Sequence, residues 1–112
     1  MQQRHSELEA ADHLAKSKFF RAAGALAGVV LERHLGEVCT ARKIAISKKN
    51  PTIGDFNEGL KAENVIDIPQ WRFIQHLADI RNICDHARTP DPTPDQVTDL
   101  ISGAKKIVKT VF

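Results

Sequence analysis

The chain of 112 residues contains no tyrosine, one tryptophan and two cysteines, and it lacks a long apolar run. Its longest apolar run, residues 25–31, is far shorter than the roughly 20 residues that a bilayer span needs. Cys39 and Cys84 lie far apart in the sequence and lack metal-ligand spacing, which favours reduced, mostly buried thiols. Because no basic segment followed by an apolar one opens the sequence, we expect a cytoplasmic protein without membrane contact.

The charged residues nearly balance, with 16 Lys and Arg against 14 Asp and Glu, a net charge of +2. This balance permits an anionic partner but does not require one, since strongly nucleic-acid-binding domains are usually more basic. The sequence has no P-loop, dinucleotide-binding fingerprint or serine-hydrolase elbow. Four histidines lack metal-ligand spacing with one another and with the cysteines, so we expect no metal and no cofactor. They are His5, His13, His34 and His76.

No segment alternates polar and apolar residues for long enough to be a strand, so an all-α domain over residues 1–112 is predicted. Apolar residues recur at three- and four-residue steps between Gln2 and Arg42. This pattern predicts either one long helix or two helices with a break near Lys16–Lys18. Residues 19–31 are apolar on almost every side, which predicts a helix that is buried on every side at the centre of a bundle. Gly24 and Gly28 would admit another backbone, either within the subunit or across a dimer contact.

The rest of the chain predicts three more helices. A polar, basic connection (43–50) precedes a short helix (52–64) with Thr52 as its N-cap. Asp67 caps the next helix, which runs to about Ala87. A proline-rich turn (89–94) then leads to a last helix capped by Thr93. The predicted fold is an up-and-down bundle of four long helical segments plus one short helix.

Two charged positions break the apolar pattern of the fourth segment. At about 100° per residue, Arg81 and Asp85 fall inside the apolar half of a helical wheel. A buried arginine needs an acceptor, and Asp85 one turn on, or Glu32 on the central helix, can serve. Arg81 is then either a structural brace or a phosphate-binding group beside the titratable imidazole of His86.

The run Arg81-Asn82-Ile83-Cys84-Asp85-His86 resembles the arginine–x4–histidine motif of the HEPN family. The surroundings are similar too: a small-residue helix comes first, a short helix precedes the motif helix, and a Pro-Thr-Pro turn and a terminal helix follow. The resemblance covers roughly residues 11–112. It implies an all-α domain that dimerises, with two copies of the motif forming one composite site at the two-fold axis.

What the resemblance implies for function is metal-independent cleavage of RNA, as in toxins of toxin–antitoxin or phage-defence systems. Arg81 would hold the scissile phosphate, His86 would act as general base or acid, and Asn82 would orient the substrate or His86. Asp85 and Glu32 would support Arg81. Some HEPN toxins carry a tyrosine two residues after the histidine, which a partner nucleotidyltransferase modifies. Here that position is Arg88, so silencing by that route is not expected.

The sequence leaves two questions open, the activity of the domain and the role of its basic loop. Other family members lack nuclease activity and act as dimeric binding or scaffolding modules beside a nucleotidyltransferase. The basic residues in and beside the first long connection could contact RNA phosphates or form an ordinary solvated face. These residues are Arg42, Lys43, Lys48 and Lys49.

Overall fold

Five helices make up the part of the chain that the structure, a computed structural model, describes: residues 2–86 and 90–112. They are α1 (Gln2–Lys16), α2 (Phe20–Ala41), α3 (Ile53–Ala62), α4 (Ile68–Asp85) and α5 (Pro94–Thr110). Four are long and α3 is short, and no strand occurs within these ranges. The prediction of an all-α bundle is confirmed. None of these helices combines the length and the apolar character needed to cross a membrane.

The first long helical stretch consists of two helices, which confirms the second of the two predicted alternatives. Lys18 adopts a left-handed backbone with φ of 68°. The Phe19 N–H then donates to the Leu14 carbonyl at 2.9 Å, and the Lys18 N–H donates to the Ala15 carbonyl at 2.9 Å. This pair of bonds is the Schellman arrangement that satisfies the last carbonyls of a helix. It ends α1 and turns the chain into α2.

The last three helices start at residues that the sequence marks. Each N-cap side chain accepts the N–H of the third helical residue, and the side chain of that residue accepts the N-cap N–H, which is a complete capping box. The predicted caps are confirmed: Thr52 with Asp55, Asp67 with Gln70, and Thr93 with Gln96. In the first box, the hydrogen bond from the Thr52 backbone lowers the pKa of the Asp55 carboxyl. By contrast, the N-cap residue of α2, Phe19, makes no side-chain capping hydrogen bond.

Helix α2 is central, because each of the other four helices packs against it. Its inward faces are fully buried, as predicted for residues 19–31. The expectation that it is buried on every side is nevertheless wrong. Ala22 and Val29 are exposed, because the four neighbouring helices of so small a domain leave one narrow stripe of α2 at the surface.

Two helix ends differ from their predicted positions. Helix α3 ends at Ala62 because Asn64 turns left-handed, with φ of 59°. Helix α4 ends at Asp85, and His86 has an extended backbone, so the predicted extension to about Ala87 overshoots. Ala87, Arg88 and Thr89, including the beginning of the predicted turn, lie outside the described residues.

His34 is a buried titratable group on α2. Its Nε2 lies 2.6 Å from the Val111 carbonyl, and its Nδ1 is buried without a partner. Because a carbonyl only accepts, Nε2 carries the proton and Nδ1 is a bare acceptor in the neutral ring. Burial lowers the pKa of His34, and Arg4 lowers it further, against an opposing effect of the hydrogen bond to Val111.

We therefore expect the free energy of unfolding to fall as the pH drops below 6.5, the ordinary pKa of histidine in an unfolded chain. Below this pH, His34 binds a proton more readily in the unfolded chain than in the folded one. The free energy of unfolding then changes with pH, with a limiting slope of about 1.4 kcal/mol per pH unit. Urea unfolding between pH 5 and pH 8 measures this slope. His34→Gln, which keeps a donor for Val111, should flatten it, and His13→Gln at an exposed site should not. Equal slopes in the wild type and His34→Gln would contradict the assignment.

Candidate functional site

The motif helix α4 lies unusually close to α2 because two glycines of α2 face it. A Cβ added at Gly28 would lie 2.3 Å from Arg81 Cγ, and one at Gly24 would lie 2.2 Å from Cys84 Sγ. Only a residue without a side chain fits at either position. Of the two alternatives for this glycine pair, packing within the subunit is the one that the structure shows.

Arg81 lies over Gly28 and pairs with both predicted carboxylates. Its Nη1 donates to Glu32 Oε2, and its Nε lies 2.6 Å from Asp85 Oδ2. The second contact is an ion pair without hydrogen-bond alignment, because Nε is buried and has no aligned acceptor. The three side chains are 16%, 29% and 36% exposed for Arg81, Glu32 and Asp85 respectively. The structure thus brings together the arginine and both support residues.

One nitrogen of the Arg81 guanidinium remains available. No hydrogen-bond partner for Nη2 is present among the described residues, and Nη2 is not one of the buried unpartnered atoms. Glu32 fixes the group on one side and Asp85 fixes it on another. This arrangement can present Nη2 to one oxygen of an anion while the rest of the side chain stays in place.

Asn82 and His86 are both exposed at the surface. Asn82 follows Arg81 directly on α4, and His86 is the C-cap, where the backbone leaves the helix. Four residues lie between Arg81 and His86, so five residue steps separate them, an axial rise of about 7.5 Å. The three predicted site residues therefore share the last turns of one helix, with the arginine half-buried and the other two open to solvent.

Arg21 holds the end of the motif helix, a role that was not predicted. Its Nη1 donates to the carbonyls of Ile83 at 2.8 Å, Cys84 at 3.2 Å and His86 at 2.9 Å. The last carbonyls of a helix have no partner within the helix, and a guanidinium supplies several donors at once. Nη2 also binds Asp91 Oδ1 at 3.0 Å. The one signal in the sequence was a single charge on the otherwise apolar run 19–31.

The charges of the site decide what it can bind. Arg81 with ionised Glu32 and Asp85 carries a net charge of −1, and Arg21 with Asp91 is neutral. An anion at Arg81 therefore needs a further positive group, which a protonated His86 or a second subunit would supply. Burial raises the pKa of the Cys84 thiol against an opposing effect of Arg21, which disfavours the nucleophilic thiolate.

The basic residues of the first connection have separate surroundings. Arg42 donates through Nε to the Phe112 carbonyl at 3.1 Å, and Lys48 pairs with Asp55 at 3.2 Å. Lys43 takes the left-handed position that ends α2, with φ of 58°, and Lys49 is exposed. Two of the four charges are therefore already engaged within the subunit, which favours a solvated face at this loop.

Within residues 2–86 and 90–112, no three His, Cys, Asp or Glu side chains are grouped so that they could hold a metal ion. Comparison with protein-family models, with curated proteins and with solved structures finds no match to this chain. The interpretation of the site therefore depends on its own geometry and on the motif in its sequence.

Proposed function

We propose that this protein is a metal-independent endoribonuclease of the HEPN type that acts as a homodimer. Arg81 contacts the scissile phosphate through Nη2. The ribose 2′-oxygen attacks phosphorus while His86 accepts its proton, and the bond from phosphorus to the 5′-oxygen breaks as that oxygen receives a proton. The products are a cyclic 2′,3′-phosphate and a 5′-hydroxyl. Asn82 orients the substrate or His86.

The observation that carries this proposal is the arrangement of Arg81. A guanidinium held by two carboxylates, with one nitrogen left for solvent, is positioned before a substrate arrives, and such preorganisation is the main source of electrostatic catalysis. His86 stands exposed on the same helix end, where a proton-transfer group must be reachable. Since the attacking hydroxyl belongs to the RNA, positioning and charge stabilisation are all that the protein must supply.

Two subunits fit this chemistry better than one. A cleavage step needs a base for the 2′-hydroxyl and an acid for the leaving oxygen, and each chain offers one His86 at its motif. A second copy would bring a second His86 and so provide both roles. We propose on this ground that the active form is the dimer, with cytoplasmic RNA as substrate. A nucleotidyltransferase, if it is the antitoxin partner, acts by a route other than modification of a tyrosine at position 88, which is arginine here.

A second candidate function has its own supporting observation. Glu32 accepts a hydrogen bond from Arg81, and Asp85 adds an ion pair at Nε, so the charge of the guanidinium is compensated inside the subunit, which is what a purely structural brace requires. In that case the domain is a dimeric binding or scaffolding module that performs no chemistry.

RNA cleavage in excess EDTA tests the proposal. We expect the wild type to cleave single-stranded RNA at the same rate with and without the chelator. His86→Ala should lower the rate by about 10²- to 10⁴-fold, the usual range for loss of an acid or base. Its melting temperature should stay near that of the wild type, because His86 is exposed and binds Arg21 through its carbonyl.

The exposed His76 provides a matched control, since His76→Ala removes an imidazole from the same helix away from the motif. Its cleavage rate should equal that of the wild type. Cleavage that persists in folded His86→Ala would show that the assignment of His86 is wrong. A wild type that cleaves no RNA would favour the scaffolding module.

A further inference from the structure

A cleft of about 550 Å³ opens beside the end of the motif helix. It lies between the start of α2 (residues 18–25) and the Asp91–Pro92 segment that precedes α5. We call it the Phe19 cleft. Its volume is within the range of sites that hold small molecules or single nucleotides.

Phe19 presents an aromatic ring to this cleft from a fixed backbone. The side chain is 62% exposed, which is unusual for a phenylalanine. Its backbone, in contrast, is tied on both sides: its N–H donates to the Leu14 carbonyl, and its carbonyl accepts the Ala23 N–H, both at 2.9 Å. The ring is therefore positioned without being buried, which is the condition for stacking against a planar partner.

The charge of the cleft favours an anionic partner. Lys18 lines it from the left-handed turn, and no ion-pair partner for Lys18 occurs among the described residues. Arg21 and Asp91 also line the cleft but pair with each other at 3.0 Å. The sum over Lys18, Arg21 and Asp91 is +1, which complements one phosphate.

The cleft is joined to the candidate catalytic site through Arg21. The same guanidinium that lines the cleft donates to the His86 carbonyl at 2.9 Å. The Arg21 side chain therefore lies between the Phe19 cleft and the backbone of His86. A strand of RNA with its phosphate at Arg81 would have to pass His86 for a neighbouring nucleotide to reach the cleft.

We propose that the Phe19 cleft binds an unstacked base of single-stranded RNA next to the cleaved bond, with the base on the Phe19 ring and the adjoining phosphate at Lys18. This inference rests on the proposed function and specifies its substrate as single-stranded. A duplex keeps its bases stacked on one another, so it cannot offer a base to Phe19.

Binding of fluorescent 2′-O-methyl RNA tests this site apart from cleavage, because the methyl group blocks the attacking hydroxyl. Loss of one base–aromatic stack weakens binding by about 5- to 150-fold. We expect this weakening in Phe19→Ala and not in Phe19→Trp. In Phe19→Trp, RNA should also quench the emission of the introduced indole. The wild type, whose one tryptophan is Trp71, should not show this quenching.

Phe112→Ala is the matched control. Phe112 is a second exposed phenylalanine, with an exposed fraction of 69%. Its carbonyl accepts a hydrogen bond from Arg42, which directly follows the C-terminal end of α2. Phe19 and Arg42 are 23 residues apart, which is about 35 Å along a helix. Phe112→Ala should therefore bind the oligonucleotide as the wild type does.

An RNA oligomer with abasic positions completes the test. The wild type should bind it as weakly as Phe19→Ala binds the intact oligomer, and Phe19→Ala should not distinguish the two. Unchanged affinity in folded Phe19→Ala, or a wild type that binds no single strand, would overturn the proposal. A change of oligomeric state in Phe19→Ala without a change in RNA affinity would also overturn it, by placing Phe19 in a subunit contact. Base-dependent binding without cleavage would support the Phe19 cleft as a binding site and contradict the proposed nuclease activity.

Discussion

Arg81→Lys is expected to lower RNA cleavage by at least about 100-fold while the chain remains folded. A guanidinium can pair with Glu32 and Asp85 and still direct Nη2 at a phosphate oxygen. An ammonium is one compact charge that cannot hold all three positions. Arg81→Ala, which removes the charge as well, should lower cleavage by about 10³-fold or more, as loss of a phosphate-binding arginine does elsewhere. Initial rates on one RNA substrate measure both effects.

Stability should respond differently from activity. Arg81→Ala leaves two carboxylates side by side, and removing one partner of a fully buried pair costs roughly 3–5 kcal/mol. Here the side chains are partly exposed and water screens them, so we expect a loss of about 1–3 kcal/mol in urea unfolding. Glu32→Gln is the comparison variant: it keeps the guanidinium and an oxygen acceptor for Nη1 but removes the charge of the partner, so cleavage should fall much less than in Arg81→Lys while stability falls.

These two readouts separate the nuclease from the brace. If Arg81→Lys unfolds less readily than Arg81→Ala and yet cleaves RNA at the wild-type rate, Arg81 does not contact the substrate. If all variants lose stability in step with activity, Arg81 acts only by holding α2 and α4 together. Loss of activity in folded Arg81→Lys is the result that the proposed function requires.

The starts of the helices were predictable because their signals are side chains that act locally. Thr52, Asp67 and Thr93 each bond to a residue three positions on, so the whole interaction is contained in four letters of sequence. The pairing of Arg81 with Glu32 was predictable for another reason. Each is a charge on an apolar surface, and a buried charge must find its complement.

The ends of the helices were harder to predict because their signal is a backbone conformation. Lys18, Lys43 and Asn64 end three helices in the left-handed region, where glycine is the usual residue. A lysine there costs roughly 1–2 kcal/mol and leaves no mark in the composition of the segment. The sequence pattern therefore placed the break after α1 correctly and placed the ends of α3 and α4 two residues too late.

Arg21 was missed because its partners are more than 60 residues away. Nothing near Arg21 in the sequence indicates that the carbonyls of another helix end will lie beside it. Its isolation in an apolar run predicts only that it must be paired. The Phe19 cleft could not be predicted from the sequence for the same reason, since it exists only where the start of α2 meets Asp91 and Pro92.

Gly24→Ala should destabilise the protein although alanine is the better helix former. Alanine gains about 1 kcal/mol over glycine within a helix. The added Cβ, however, would lie 2.2 Å from Cys84 Sγ, and overpacking of a core typically costs about 1–3 kcal/mol, occasionally more. Since the clash forces α2 and α4 apart, we expect a net loss of up to about 2 kcal/mol in urea unfolding.

Cys84→Ala in the same chain should restore stability. It removes the sulfur and leaves Cys84 Cβ as the nearest atom, 3.2 Å from the new methyl group, a contact that a small shift can relieve. The double variant Gly24→Ala/Cys84→Ala is then expected to be more stable than Gly24→Ala alone, with a coupling of about 1–3 kcal/mol. Gly54→Ala is the control, because its Cβ would meet nothing closer than 3.7 Å. It should be neutral or slightly stabilising. Additive effects of Gly24→Ala and Cys84→Ala would contradict the close contact of α2 with α4, and with it the support that this contact gives to Arg81.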